Sequence, residues 1–287
     1  MIPLKIGFIG SGKVGFSLGK YFADNGLNIT GYYSKTLQSA IQAAKFTNTS
    51  YYHSIEHILE VSDTLFITTP DGVIKEIWDY IKKLSIENKI ICHCSGSLSS
   101  TVFSQIDTHG AYGYSIHPLQ AISDKNQSYK TLSNCLFTIE GSSKRMELMQ
   151  SIFHKLGNTI QVISAENKTL YHAAAVTVSN HMIALFKYGI DMLIQCGFNE
   201  NNAAFALLPL MTGNLKNLQS QNIVSALTGP IERCDIDTVK SHLSVLSLKD
   251  KQLYLLLCSK LIPLAKLKNP DRNYTNLENL INGGLNN

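Results

Sequence analysis

The sequence predicts an α/β protein, in which a doubly wound, mostly parallel sheet is followed by a smaller all-helical domain. Two observations lead to this prediction. Through the first half of the chain, short apolar runs typical of strands alternate with amphipathic patterns typical of helices. After residue 164 only helical patterns follow. The predicted domains are therefore residues 1–164 and 165–287.

The individual elements follow from apolar runs, periodicity and turn residues. The predicted strands are 4–9, 28–33, 64–68, 89–93, 113–116, 135–140 and 159–163. The predicted helices of the first domain are 14–25, 37–46, 72–84 and 144–156. Those of the second domain are 166–196, 200–218, 223–227, 237–246 and 249–267. The Asn-rich tail from Asn269 is interpreted as a poorly ordered end or a last short helix.

Composition narrows the class of protein. The chain has 287 residues, 44% of them hydrophobic and 16% charged, which suits a soluble protein of two domains. The net charge of +4 comes without a Lys/Arg run, so no nucleic-acid partner is expected. No apolar run is long enough to span a membrane.

Cysteine usage predicts the compartment. Six scattered cysteines without an export signal indicate reduced thiols and a cytoplasmic location. Cys92 and Cys94 flank His93 on a predicted strand, but no second cluster completes a metal site. Buried thiols are favoured, and no metal is predicted.

The stretch GSGKVG fits two phosphate-binding signatures. As a P-loop it lacks the Ser or Thr that follows the lysine, because Val14 stands there. As a dinucleotide fingerprint, Gly10, Gly12 and Gly15 come directly after a strand and open a helix. The pyrophosphate then meets free N–H groups at the positive end of the helix dipole. The predicted cofactor-binding residues of this turn are Gly10, Ser11, Gly12, Lys13, Val14 and Gly15.

The end of the second strand indicates which dinucleotide is bound. NAD sites usually carry Asp or Glu there, whereas this chain has Ser34 and Lys35. A hydroxyl and a cation can bind a 2′-phosphate, so NADP(H) is predicted in preference to NAD(H). The alternative is that Lys35 is a solvated residue at a helix start.

Several stretches together resemble a known family. They are IGFIGSGKVG, ITTPDGVI, HCSGSLSS, SIHPLQ, YHAAAVTVSNH and LTGPIERCDIDTVKSHL. They resemble the Rossmann-like oxidoreductases whose helical C-terminal half is a domain of unknown function. These proteins are similar in architecture to pyrroline-5-carboxylate reductase and to 6-phosphogluconate and 3-hydroxyacid dehydrogenases. The resemblance implies an NADP-type oxidoreductase that forms a homodimer through its helical domains and binds a small-molecule substrate in an interdomain cleft.

Three strand ends supply candidate site residues. Thr69 and Pro70 follow one strand and are expected to border the cofactor, while Asp71 is interpreted mainly as a helix cap. His93 ends the next strand and either reaches cofactor or substrate or forms a polar turn. His117 ends a further strand and is a candidate proton donor, or a structural hydrogen-bonding residue.

The first helix of the second domain offers a further constellation. His172, Val176 and Asn180 are spaced four residues apart and are expected to share one face. Related 3-hydroxyacid dehydrogenases have a catalytic lysine at the position of Val176, so that mechanism does not carry over. His172 or Ser179, together with Asn180, is therefore a candidate for protonating and orienting substrate, and packing of a helix pair or dimer interface is the alternative.

The last motif, T-G-P-I-x-R-x-D, leaves its roles open. Arg233 either binds a substrate carboxylate or pairs with Asp235 to fix the turn, and no role is assigned to His242. Family members commonly have glycine where this chain has Cys234. The roles that the resemblance implies for Arg233 and Asp235 therefore transfer less directly to this chain.

The resulting hypothesis is an NADP(H)-dependent oxidoreductase acting on a small carbonyl or imine. His117 or His172 would supply the proton, and Asn180 would orient the substrate. The alternatives are a non-catalytic NADP-binding sensor and pyrroline-5-carboxylate reductase itself.

Overall fold

A computed structural model describes residues 4–286, which form two compact units divided between Ile183 and Ala184. The domain ranges 1–164 and 165–287 remain predictions, and their outermost residues, 1–3 and 287, lie outside the described part of the chain. Each unit is described by itself below.

The first unit is built on one eight-stranded sheet. Its strands are β1 (Lys5–Ile9), β2 (Asn28–Tyr33), β3 (Ser50–Tyr52), β4 (Thr64–Ile67), β5 (Ile90–His93), β6 (Tyr112–Pro118), β7 (Phe137–Gly141) and β8 (Ile160–Val162). They are ordered β3-β2-β1-β4-β5-β6-β7-β8. The first six strands in this order run parallel, while β7 is antiparallel to β6 and parallel to β8. The α/β prediction is confirmed.

Helices cover both faces of this sheet. They are α1 (Lys13–Asp24), α2 (Leu37–Thr47), α3 (Ile55–Val61), α4 (Asp71–Ile81) and α5 (Met146–Lys155), while α6 (Lys168–Val178) follows β8. Alternate strand residues enter two separate cores, because successive side chains point to opposite faces. Phe8 packs with Phe22 of α1 on one face, and Ile9 belongs to the cluster of Trp78 from α4 on the other. This arrangement is the doubly wound sheet that the alternating pattern predicts.

The connection from β6 to β7 returns over α1. Because the two strands are antiparallel, they need no crossover helix between them. The hydroxyl of Ser17 on α1 donates to the carbonyl of Lys125 at 3.4 Å, and the Lys125 ammonium lies 5.0 Å from the centre of the Phe16 ring. Residues 119–136 are thereby attached to the helix that follows the glycine turn.

The second unit consists of helices. They are the greater part of α7 (Asn180–Gln195), then α8 (Glu200–Ser220), α9 (Ile223–Ala226), α10 (Pro230–Arg233), α11 (Ile236–Val245), α12 (Leu248–Lys268) and α13 (Thr275–Leu285). A core around Leu255, Ile262 and Tyr274 joins several of them. Between residues 4 and 286, no strand follows β8, and none of the helices is long and apolar enough to cross a membrane.

The single helix predicted for 166–196 is wrong. A 3-10 turn, Ala165–Asn167, precedes α6, and the helix is interrupted at Ser179 before α7 begins. The Ser179 hydroxyl donates back to the carbonyl of Ala175 at 2.7 Å. Such a side-chain bond competes with the helix backbone and bends helices, which is the physical reason for the interruption.

Candidate active site

The glycine turn is shaped by the absence of side chains at two positions. Gly10 has φ +103°, in a region that favours glycine, and its N–H donates to the carbonyl of Tyr33 at 2.7 Å. A Cβ at Gly15 would lie 2.3 Å from Oγ1 of Thr68 and 2.4 Å from the carbonyl oxygen of Gly10. The Thr68 hydroxyl donates to that same carbonyl at 2.7 Å. The first turn of α1 is therefore held directly against β4.

An open groove of about 1220 Å³ lies over this turn. The predicted cofactor residues that line it are Gly10, Ser11, Gly12, Ser34, Lys35, Thr69 and Pro70. Of the others, Lys13, Val14 and Gly15 form the first turn of α1, where Lys13 is exposed and Gly15 is buried. The groove follows the carboxyl ends of β1, β2 and β4, which is where doubly wound sheets bind ligands.

Two hydroxyls of the groove suit a phosphate-bearing ligand. Ser11 Oγ and Thr69 Oγ1 are buried without a hydrogen-bond partner among the described residues. A buried polar atom without a partner costs about 1–3 kcal/mol. The glycine turn, the helix start and these two donors fit a dinucleotide, which would supply the missing acceptors.

Asp71 does not cap α4, so that interpretation is wrong. It is the first residue of the helix, after Pro70, and its side chain makes no capping hydrogen bond. Its carboxylate instead accepts from the hydroxyls of Ser95 at 2.7 Å and Ser97 at 2.9 Å. Asp71 thereby joins the start of α4 to the loop after β5.

His93 is fully buried at the end of β5, and its ring bonds to that same loop. Its Nδ1 accepts from the N–H of Ser95 at 3.2 Å, and its Nε2 lies 3.2 Å from the carbonyl of Ser99. Burial lowers the pKa of His93 to about 4, so the ring is neutral near pH 7. Both ring nitrogens of His93 are thus engaged by the backbone of this loop, and a contact of His93 with the cofactor stays a prediction.

His117 and His172, predicted from separate stretches, meet at Gly96. A Cβ at Gly96 would lie 2.6 Å from Nδ1 of His172 and 3.1 Å from Nε2 of His117. Glycine is therefore the residue that lets both rings approach the loop after β5. This meeting point lies at the same sheet edge as the groove, since β4, β5 and β6 are parallel neighbours.

His117 forms a pair with Tyr171, the fourth residue of α6. Its Nδ1 lies 2.6 Å from the Tyr171 hydroxyl. Burial, reinforced by the charges of Lys168 and His172, lowers the pKa of His117 to about 4. Burial also raises the pKa of Tyr171. Both members of the pair are therefore neutral near pH 7.

Lys168 completes the cluster, and sequence reasoning missed it. The residue is 1% exposed, and its ammonium has no hydrogen-bond partner among the described residues. It lies 5.3 Å from the centre of the Tyr171 ring. Burial lowers the pKa of Lys168. Its spacing from Tyr171 and His172, three and four residues, is the signal that was available, because such residues share a helix face.

Comparison with known families identifies both parts of the chain. A model described as a Rossmann-like domain matches residues 2–118. One described as a domain of unknown function, DUF2520, matches residues 135–261. The chain joins a Rossmann-like domain to a DUF2520 domain. This confirms the family resemblance stated from the sequence.

Solved structures show the same fold. The protein TM1727 from Thermotoga maritima is 23% identical over 93% of this chain and 100% of its own, with a TM-score of 0.70. The reductive aminase from Aspergillus terreus, in complex with NADPH and ethyl-5-oxohexanoate, is 12% identical over 99% and 94%, with a TM-score of 0.61. Pyrroline carboxylate reductase from Plasmodium falciparum, with NADP bound, is 14% identical over 92% and 99%, with a TM-score of 0.58. No curated protein sequence matched the chain. The likeness to these proteins is one of fold.

The DUF2520 region also contains Asn180, which the structure does not bring into the cluster. Asn180 is exposed and begins α7, beyond the interruption at Ser179. Its Oδ1 accepts from the Ser179 hydroxyl at 3.0 Å. Its role toward substrate stays a prediction.

The T-G-P-I-x-R-x-D motif of the DUF2520 region forms a capped turn. Asp235 begins α11, and its carboxylate accepts from the N–H of Thr238 at 3.0 Å and from its hydroxyl at 2.7 Å. These bonds, and secondarily the charges of Arg233 and His242, lower the pKa of Asp235. Cys234 has φ +58°, so it adopts the left-handed conformation that glycine favours. His242 Nδ1 lies 2.8 Å from the Tyr254 hydroxyl.

The two cysteines at the end of β5 lie in the protein core. Cys92 and Cys94 are buried in the core that also contains Phe8, and burial raises the pKa of both thiols. Among residues 4–286, no group of three potential ligands is placed to hold a metal ion.

Proposed function

We propose that this protein is an NADP(H)-dependent oxidoreductase that transfers hydride to or from a small carbonyl or imine compound. The observation that carries the proposal is that two features lie at the same edge of the sheet. One is a dinucleotide-shaped groove with unpaired hydroxyls, and the other is the neutral His117–Tyr171 pair. The fold-level likeness to NADP(H)-bound oxidoreductases supports the same reading.

The groove residues would hold the cofactor. The turn at Gly10 and Gly12 offers backbone N–H groups to the pyrophosphate, and Ser11 and Thr69 offer hydroxyls. When bound, the nicotinamide supplies or accepts the hydride. Ser34 and Lys35 line the groove at the end of β2, and they favour NADP(H) over NAD(H) because they suit a 2′-phosphate.

The His117–Tyr171 pair would supply the proton that reduction of C=O or C=N requires. In the neutral ring, Nδ1 accepts from the Tyr171 hydroxyl, and Nε2 then carries the ring proton. As Nε2 gives its proton to the substrate oxygen or nitrogen, the phenol proton moves to Nδ1. The products are the alcohol or amine and a tyrosinate, which the Lys168 ammonium beside the ring stabilises.

Cofactor preference is tested by titrating the purified protein with NADPH and NADH. We expect tighter binding of NADPH. The variant Lys35→Ala should weaken NADPH binding about tenfold, through loss of one charge-assisted hydrogen bond, and leave NADH binding unchanged. Lys45→Ala, which removes an exposed lysine from the last turn of α2, is the matched control. Equal affinity for both cofactors in the unmodified protein would reject the preference.

Turnover is tested by following NADPH oxidation with a panel of keto acids, ketones and cyclic imines, pyrroline-5-carboxylate included. His117→Asn and Tyr171→Phe should each lower the turnover found by about 10²–10⁴-fold while NADPH binding is retained. NADPH binding with no oxidation by any compound would contradict the proposal and favour the non-catalytic sensor.

A further inference from the structure

The cluster beside His117 contains a positive charge without a counterion. The Lys168 ammonium is closed off from solvent, and neither a hydrogen bond nor an ion pair reaches it from the described residues. Lysine is almost never fully buried unless it is paired. A buried charge without a partner is strongly destabilising, so its retention at this position calls for an explanation.

The nearby carboxylates are already occupied by other donors. Glu140, buried on β7, accepts from the N–H of Ser100 at 2.6 Å and from the Ser100 hydroxyl at 2.7 Å. Asp71 accepts from two serine hydroxyls of the loop after β5. Both carboxylates act on Lys168 only as charges at a distance. The cluster therefore lacks an anion in direct contact with its ammonium.

A second unpaired nitrogen lies on the same face of α6. His172 follows Lys168 by four residues, and its Nδ1 is also buried without a partner among the described residues. That nitrogen faces Gly96, where His117 Nε2 also lies. The charge of Lys168 also acts on His117, so an ammonium and two imidazoles belong to one cluster where the proposed reaction would give up its proton. A neutral substrate would leave the ammonium unpaired.

We infer that Lys168 binds a carboxylate of the substrate, so that the reducible compound is a 2-oxo acid or a cyclic imine carrying a carboxylate beside its C=N bond. This inference rests on the proposed function and names the substrate class of that same site. The carboxylate supplies the missing counterion, while His117 serves the neighbouring oxygen or nitrogen. Because the ammonium is closed off from solvent, entry of the anion requires a local movement, and binding is best measured at equilibrium.

The direct test is calorimetric titration with oxalate, which carries adjacent carboxylates and has no bond for the proposed reaction to reduce. Oxalate should bind the NADPH-loaded protein, and Lys168→Met should weaken that binding about tenfold or more through loss of a charge-assisted hydrogen bond. Lys168→Arg, which keeps the positive charge, should retain part of the oxalate binding. Lys155→Met removes an exposed lysine at the end of α5 and should leave the affinity for oxalate unchanged. Inorganic phosphate, titrated in parallel, should bind more weakly, and tighter phosphate binding would reject a carboxylate ligand.

The kinetic test compares matched substrates. Pyruvate should be reduced more efficiently than its methyl ester, and a cyclic imine with a carboxylate beside the C=N bond more efficiently than the unsubstituted ring. Lys168→Met should abolish this preference by raising KM for the acids, with NADPH affinity unchanged as the sign of an intact fold.

The two proposals fail separately. If neutral imines are reduced as well as acidic ones and oxalate does not bind, Lys168 is not a carboxylate anchor, but the oxidoreductase proposal survives. If oxalate binds through Lys168 while no compound oxidises NADPH, the anion site survives and the oxidoreductase proposal fails. Oxalate binding that is unaffected by Lys168→Met also overturns the inference.

Discussion

Burial determines the charge of individual residues at the carboxyl ends of the parallel strands. His93 and His117 are both kept neutral by their surroundings, while the Lys168 ammonium is buried without a hydrogen-bond partner among residues 4–286. At the outer end of the cluster, Asp71 bonds to the hydroxyls of two serines. The charges and positions of the candidate site residues therefore depend on contacts between β5, β6, α4 and α6.

The lowered pKa of His93 makes stability depend on pH. Its pKa is about 4 in the folded chain and 6.5 ordinarily, so below pH 6.5 the unfolded chain binds a proton that the folded chain does not. Stability should therefore fall as pH decreases from 6.5 to 4, by at most about 3 kcal/mol for this residue. Above pH 6.5 the ring is neutral in both states and adds no pH dependence.

The measurement is urea unfolding of the unmodified protein and of His93→Gln at pH 7 and pH 5. The variant should lose less stability on acidification, by about 2 kcal/mol, because it lacks the titrating ring. His57→Gln removes an exposed imidazole and serves as the control. An equal loss in His93→Gln and the unmodified protein would show that the buried ring does not set this dependence.

The sequence predicted part of the candidate site at this scale. His117 was recognised because it ends an apolar strand, and His172 because of its helical spacing and family resemblance. Lys168 was missed because a lysine at a helix start is ordinarily exposed, and only the packed chain shows it buried. The meeting of both histidines at Gly96 depends on three separate elements, so no local pattern contains it.

At the scale of elements, periodicity predicted most of the first unit. All seven predicted strands coincide with observed strands, namely β1, β2 and β4 to β8. Most of them were recognisable from their apolar runs because buried parallel strands are almost continuously hydrophobic. β3 and α3 were missed: β3 has only three residues, SYY, and α3 only seven. The interruption at Ser179 was missed as well, because a serine hydroxyl that bonds backward leaves the apolar pattern unchanged.

A buried asparagine fastens several of these elements together. Asn158 is 3% exposed, and its amide donates to the carbonyls of Leu132 at 2.7 Å and Cys135 at 3.1 Å. Its Oδ1 accepts from the Tyr21 hydroxyl of α1 at 2.8 Å. Asn158→Ala should therefore lower the free energy of unfolding by about 3 kcal/mol, since it removes three hydrogen bonds of a buried side chain.

Urea unfolding measures this loss. The control is Asn126→Ala, which removes an exposed asparagine from the connection between β6 and β7. The control should change stability by about 0.5 kcal/mol or less. If Asn158→Ala were no more destabilising than Asn126→Ala, these bonds would not hold the elements together.

At the scale of the whole molecule, the exposed apolar side chains of α8 predict that the protein associates with a partner. Only Ala203 of this 21-residue helix is buried. Phe205, Leu208 and Leu215 are 82%, 55% and 44% exposed, and their spacing of three and seven residues places them on one face of the helix. Contiguous exposed apolar side chains mark interaction surfaces, and a second copy of the chain agrees with the homodimer expected from the sequence. We therefore propose that the protein is a dimer through α8.

Light scattering combined with gel filtration tests this proposal. The mass should be twice the 31.7 kDa of one chain. The double variant Phe205→Glu and Leu208→Glu should give the monomer mass, whereas Leu119→Glu, at an exposed apolar position of the first unit, should remain dimeric. A monomeric unmodified protein at micromolar concentration would refute the dimer.

The return of residues 119–136 over α1 has a mechanical consequence. The segment leaves β6 directly after His117, and its middle is attached through Lys125 to Ser17 and Phe16 of the helix that follows the glycine turn. The segment thereby connects the glycine turn to the His117–Tyr171 pair. If the proposed function is right, NADPH binding at the glycine turn should slow amide exchange in residues 119–136, and loosening this attachment should lower turnover without changing any side chain of the candidate site.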